Sequence, residues 1–377
     1  MLKSAPWPMA VLGTLLTMTA CAPGRPASPS VGTRARVEQV FSILPHTPFP
    51  ALDGAAFGGV SGLTVDPDRG ELIGVSDDRE DTRVFRLRVT ERPFSVEPVG
   101  VIRLEHADGA PADTDAEGIA RLPNGHLLIS TEGIGTREPR QPAVILEYSG
   151  DGRFVRRLPV PATFGSTPTG PLVHGTRSNE GFEGLTLTSD GDHLFTGAES
   201  PLAQDGPSPT FGAGGRTRLL EYVRNGDWFV PARQFAYDLE ALPDVSFPPA
   251  LAINGLVELI AIDATHLLAL ERAFVGDRSG KSNGVNRARL YRVDLTSATD
   301  VSGLESLKGH TEVVAAAKTL VLDLDPSADP TALAWMDNFE GMAFWKDALL
   351  IVSDDNFNHT QRTWFLEIKS QRSLATR

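Results

Sequence analysis

The sequence predicts an all-β protein built from repeats of one four-stranded unit, and three observations carry that prediction. Helical periodicity is nearly absent, while short alternating or apolar runs recur between Asp-Gly, Asn-Gly and Pro-rich turns. A motif returns five times, in which an acidic or small polar residue leads into an apolar run and a second run ends on an acidic cluster. The composition, 41% hydrophobic and 22% charged over 377 residues, is that of an ordinary globular chain long enough for one closed β architecture. Divergent copies spaced by tens of residues mean stacked or radially arranged units, each unable to bury its apolar face alone.

The copies begin at Gly59-Val60-Ser61-Gly62-Leu63, Asp115-Ala116-Glu117-Gly118-Ile119, Glu180-Gly181-Phe182-Glu183-Gly184-Leu185, Asn254-Gly255-Leu256 and Asn338-Phe339-Glu340-Gly341-Met342. Their second runs end at Ser76-Asp77-Asp78, Thr131-Glu132-Gly133, Ala198-Glu199-Ser200, Leu270-Glu271-Arg272 and Ser353-Asp354-Asp355-Asn356.

Taken in chain order, residues 1–20 read as a targeting segment. Lys3 precedes a short apolar run, Met9 to Met18, that ends at Met18-Thr19-Ala20-Cys21 and is too short for a membrane span. The pattern resembles a bacterial lipoprotein signal, with Cys21 as the lipidated N-terminus; a plain secretory signal is the alternative. As the chain's single cysteine, Cys21 leaves no internal disulfide to form. Residues 21–36, rich in Pro, Ala, Gly and Ser, read as a tether, and 37–377 as the folded domain.

Copy one places strands near Val60–Val65, Leu72–Val75, Val84–Val89 and Ser95–Arg103. Copy two shows the unit most clearly: Gly118 to Leu122, a Pro123-Asn124-Gly125 turn, His126 to Thr131, Ala143 to Tyr148, a Gly150-Asp151-Gly152 turn, and Phe154 to Val160. Asn-Gly and Asp-Gly supply the positive φ that tight hairpins require. Copies three and four repeat the plan with longer loops. Copy five ends after Trp364–Ile368, one strand short, and Val37 to Leu44 is the unassigned strand that would complete it and close the ring. Four antiparallel strands per copy make a propeller blade. Five blades are expected, with a degenerate sixth in 297–335 as the alternative.

In such a ring the loop entering a first strand and the loop leaving a second strand open on one face. Glu117, Glu183 and Glu340, together with Asp77, Glu132, Glu199, Glu271 and Asp354, are therefore expected to line one mouth of the central channel. Crowded carboxylates repel one another unless a cation neutralises them, and an all-oxygen set suits Ca²⁺ better than Zn²⁺. Asn179, Asn254, Asn338 and Asn356 add neutral carbonyl oxygens. For any one acid the alternative is strand-end capping. Arg272, a cation beside Glu271, suits recognition of a phosphate or carboxylate, with a simple Glu–Arg salt bridge as the alternative. Lys281, His359 and Arg362 lie in or near loops of the same face, and His359 is a candidate general base.

The net charge of −13 argues against nucleic acid or an anionic surface as partner and favours cation binding. Gly276-Asp277-Arg278-Ser279-Gly280-Lys281-Ser282 is one residue short of a P-loop, and a strand follows it. There is no Gly-x-Ser-x-Gly elbow and no His-Glu-x-x-His motif.

Beyond these readings, Ser61-Gly62-Leu63, Asp115-Ala116-Glu117-Gly118-Ile119, Asn179-Glu180-Gly181-Phe182-Glu183-Gly184-Leu185 and Ala198-Glu199-Ser200-Pro201-Leu202 resemble the phytase-like family described as "esterase-like activity of phytase". Leu270-Glu271-Arg272, Asn338-Phe339-Glu340-Gly341-Met342 and Ser353-Asp354-Asp355-Asn356-Phe357 extend the resemblance over about residues 55–369. It implies an exported bacterial β-propeller with repeated Glu and Asp positions, acting on phosphoesters. Ser61 and Asn254 stand where other copies carry Glu, so a symmetric ring is incomplete.

The expected activity is a calcium-dependent phosphoester hydrolase of the cell envelope, in the periplasm or at the outer membrane. It would be a monomer anchored through Cys21 and would act on a small anionic or ester substrate. Glu117, Glu183, Glu340, Glu271, Arg272 and His359 are its candidate catalytic groups. The alternatives are a non-catalytic propeller binding an envelope protein or glycan, and a metal-dependent lactonase or carboxyl esterase.

Overall fold

The computed structural model describes residues 35–44, 47–277, 284–325 and 338–369. The expected signal and all but the last two residues of the tether lie outside the described residues, as do Lys281 and the core of the P-loop-like segment. Among the described residues, the helical pieces are two single turns, Pro50–Leu52 and Ala162–Phe164. Everything else regular is strand.

Five four-stranded antiparallel sheets form the blades. The first holds β2 (Val60–Asp66), β3 (Glu71–Ser76), β4 (Arg83–Glu91) and β5 (Phe94–Arg103). The second holds β6 (Ala116–Arg121), β7 (Leu127–Thr131), β8 (Val144–Tyr148) and β9 (Phe154–Arg157). In the third are β10 (Phe182–Leu187), β11 (His193–Ala198), β12 (Gly215–Asn225) and β13 (Trp228–Leu239). The fourth contains β14 (Pro249–Ala261), β15 (His266–Asp277), β16 (Val285–Asp294) and β17 (Ala317–Leu324). The last joins β18 (Phe339–Trp345), β19 (Ala348–Ser353) and β20 (Thr363–Lys369) to β1 (Arg36–Ile43).

The N-terminal strand thus closes the ring as expected. β1 pairs with β20 from Arg36↔Lys369 to Ile43↔Thr363, which removes a free sheet edge. Each pair of neighbouring blades shares its own apolar core. Between the fifth and first blades, Phe57, Leu63 and Phe85 meet Leu350, Val352 and Phe365. Between the second and third, Leu128 and Ile145 meet Phe182 and Leu194. Burial is therefore spread around the ring, and no single blade is a stable unit.

No sixth sheet occurs among the described residues. The segment after β16 packs instead on the outer edge of the third blade. Asp300 bridges Phe235, Val301 N–H donates to Gln234 O, and Ala316 N–H donates to Ala236 O. Beneath it, a fully buried Arg218–Asp205 pair (2.7 Å) also bonds the Leu304 carbonyl and the Leu307 N–H. These contacts cover an edge strand that would otherwise stand open.

Candidate functional site

Strand register shows how the mouth is built. Each innermost strand carries a β-bulge at the same height: at Val60/Gly62, Ala116/Ile119, Phe182/Leu185, Leu256/Glu258 and Phe339/Gly341. A bulge re-aims the side chain it carries and increases local twist. The bulged side chains are Ser61, Glu117, Glu183, Val257 and Glu340. The residue before each bulge pairs with Ser76, Thr131, Ala198, Glu271 or Ser353. The next position along the second strands is Asp77, Glu132, Glu199, Arg272 and Asp354.

This register corrects the fourth copy. Its repeat is Val257-Glu258-Leu259, three residues after the expected Asn254-Gly255-Leu256. Glu271 falls one position before the mouth, and Arg272 takes the place the other blades give to an acid. β14 and β15 continue pairing to Pro249↔Asp277, so the Asn-Gly-Leu lookalike sits on an extended hairpin arm. Adjacent strand residues point to opposite faces, so Glu271 is turned away from the channel. Its carboxylate accepts from Tyr237 Oη (2.9 Å), Glu240 N–H (2.9 Å) and Asn254 Nδ2 (3.2 Å), and Lys318 Nζ lies at 2.6 Å. Neither Glu271 nor Asn254 faces the other acids. His359 is exposed in the loop after β19, and Arg362 stacks on Trp364.

The remaining acids converge. Carboxylate oxygens of Asp115, Glu117 and Glu132 lie within 4.8 Å of one another, as do those of Glu132, Glu183 and Glu199, so Glu132 belongs to both groups. All five are buried. Asp77 and Asp354 both feel the charge of Glu340, and Asn338 Nδ2 donates to Asp354 Oδ2 at 3.0 Å. Arg272 reaches across: its Nη2 is 3.6 Å from Glu199 and 3.4 Å from Glu340, and its Nη1 donates to Asn338 Oδ1 at 2.6 Å. Arg79 straps the rim, pairing with both Asp115 oxygens (2.7 and 2.5 Å) and bonding Asn179 Oδ1 (2.6 Å).

Loss of water on burial raises these carboxyl pKa values. Asp77 and Glu132 are pushed up to about 8 and Glu199 to about 7, while Glu117, Glu183 and Asp354 rise well above the carboxylate range. For Glu117 the charges of Glu132, Asp115, Asp77 and Glu340 add to that effect. Asp77 Oδ1, Glu199 Oε1 and Ser61 Oγ are buried without a hydrogen-bond partner. A hard divalent cation fits this set: the donors are oxygen, several are anionic, and some accept no hydrogen bond.

Below the acids the channel is closed by two devices. Gly62, Gly118, Gly184 and Gly341 let the innermost strands touch backbone to backbone; a Cβ on Gly118 would lie 2.5 Å from both Glu183 O and Leu185 N. At the equivalent place the fourth blade carries Glu258, buried in the gap the glycines leave. Its carboxylate accepts the N–H groups of Leu259 (2.9 Å) and Met342 (3.3 Å), and those of Leu185 and Leu63 as well. Four blades thus converge on one side chain. Burial raises its pKa well above the usual range, and these donors pull the other way.

Asp115, Arg79 and Glu258 were not among the expected site residues. Glu258 had a visible signal, a lone acid in the apolar run Leu256-Val257-Glu258-Leu259-Ile260. Arg79 had none, since its partners lie on other blades.

A family model described as "Esterase-like activity of phytase", of the phytase-like family, matches residues 55–357. None of the curated proteins compared matches the sequence. Among solved structures, an endo-arabinase from Bacteroides thetaiotaomicron is similar at 11% identity and TM-score 0.43, covering 88% of this chain and 98% of that one. A mannose phosphorylase from Leishmania mexicana, in complex with phosphate ion, is similar at 12% identity and TM-score 0.36, covering 89% of each chain.

Proposed function

The chain belongs to the phytase-like family, and from that premise we propose that it is a divalent-cation-dependent phosphoester hydrolase, with calcium as the cation. The observation that carries this reading is the pair of buried carboxylate groups sharing Glu132, bordered by Asp77 Oδ1, a buried oxygen that accepts no hydrogen bond. Like charge at this density without a counter-ion is unfavourable, which favours a cation-binding role over strand capping.

A cation bound there supplies Lewis acidity toward a phosphoryl oxygen and a bound water of lowered pKa. The protein's own groups divide the remaining work. Asp115, Glu117, Glu132, Glu183 and Glu199 furnish hard oxygen donors. Arg272, held among Glu199, Glu340 and Asn338, stands where a substrate oxyanion would be met. Asp77, largely protonated at neutral pH while its pKa stands at about 8, would become the acceptor for a proton of an attacking water once a neighbouring cation ionises it. Binding order follows from charge: the acidic mouth repels a phosphate until the cation has entered.

Hydrolysis of a panel of phosphoesters and carboxyl esters should disappear in chelator and return with calcium. Full activity in chelator would end the proposal. Calcium-dependent thermal stabilisation without turnover would instead favour a binding module that uses the ion for rigidity.

A further inference from the structure

A cleft of about 640 Å³ opens at the junction of the first and second blades, beneath the loop that carries residues 104–115. Asp115 and Thr131 form its inner end, and Asp115 also belongs to the acidic cluster of the mouth. Asp115 thus borders both the cleft and the candidate cation site. Its floor is apolar, made by Ile134, Val144, Leu146 and Phe154. Tyr148 is packed beneath that floor, only 1% exposed, with its hydroxyl buried next to Thr114.

We propose that this cleft is the subsite for the alcohol part of the ester, and that this part is aromatic or aliphatic rather than a polyphosphate. The inference rests on the hydrolase reading above. Size supports it, because pockets of about 300–1,000 Å³ with apolar walls and a few polar groups are typical of small-molecule sites. Charge decides between substrates. The walls carry two basic side chains, Arg157 and His106, and His106 is already paired with Asp113 at 2.8 Å. At the mouth, Arg79 is engaged by Asp115, and Arg272, which also holds Glu199 and Glu340, is placed to meet a single phosphoryl group. A substrate bearing many phosphates would bury charges with no partners, which is strongly unfavourable. A ring or short chain would cover the apolar floor without burying an unpaired charge.

The test uses the full chain and two measurements. Calorimetric titration of the metal-free protein with 1-naphthol should show one site, at least tenfold weaker in Ile134→Trp. Ile134 is partly exposed and tied only through its backbone to Gln141, so the variant should fold, as its melting temperature will verify. With calcium present, kcat/KM should favour 1-naphthyl phosphate over phytate at least tenfold. The ratio of 1-naphthyl to methyl phosphate should fall tenfold in the variant. Naphthol binding insensitive to the substitution, or a preference for phytate, overturns the assignment. Naphthol binding abolished by the variant, with no ester turned over, supports the cleft as a binding site and overturns the hydrolase reading.

Discussion

Replacing Glu258 by alanine tests whether a single buried carboxylate holds the blades at the axis. The substitution strands four backbone donors, those of Leu63, Leu185, Leu259 and Met342, at the buried axis of the ring. An unsatisfied buried N–H costs about 1–3 kcal/mol, so the gross loss is roughly 4–12 kcal/mol. Against it stands the desolvation of the carboxylate itself, several kcal/mol that the variant no longer bears. The net expectation is a destabilisation of about 3–5 kcal/mol. With about 2 cal/mol/K of unfolding entropy per residue, a domain of this size should melt roughly 4–7 °C lower. Glu258→Gln keeps one acceptor oxygen but turns an N–H₂ toward the same donors, and should fall between wild type and alanine. Differential scanning calorimetry in chelator reads both. An alanine variant melting at or above wild type would mean that the buried charge is a net burden and that backbone contact alone closes the channel.

Three further outcomes follow from the same geometry. Between about pH 5 and 8 the folded protein holds more protons than the unfolded chain, because Asp77, Glu132 and Glu199 titrate near 7–8; stability should therefore fall as pH rises across that window. Saturating calcium, which needs the ionised acids, should oppose the fall, and a flat metal-free melting profile would contradict the assigned shifts. Arg79→Gln should tighten calcium binding about tenfold in calorimetry, since it removes a positive charge bound to both oxygens of Asp115; weaker binding would make Arg79 a group that orients Asp115 rather than one that competes with the ion. Gly118→Ala drives a methyl against the backbone of the third blade and should destabilise the ring by about 2 kcal/mol or more; an unchanged melting temperature would argue against close contact at the axis.

The repeat was legible because its signals are local. Turn chemistry such as Pro123-Asn124-Gly125, period-two runs and the missing outer strand of the last copy are all properties of neighbouring residues. They were enough for five blades, for closure by β1, and for the convergence of Glu117, Glu132, Glu183, Glu199, Glu340, Asp77 and Asp354 near one mouth.

Register in the fourth blade was not legible. A one-residue slip reverses the face of every side chain, and Asn254-Gly255-Leu256 imitates the motif closely enough to conceal the three-residue offset. Only pairing of β14 with β15 shows that Arg272, not Glu271, faces the acids, and that Glu258 fills the gap its glycine counterparts leave. Which charges meet across blades, as in Arg79 with Asp115 and Asn179, depends on how twisted sheets pack around an axis. Chain order alone establishes which residue types recur and how often. Closing the ring decides which of them share a dielectric, a proton or an ion, because those interactions act over a few ångströms of space and not along the backbone.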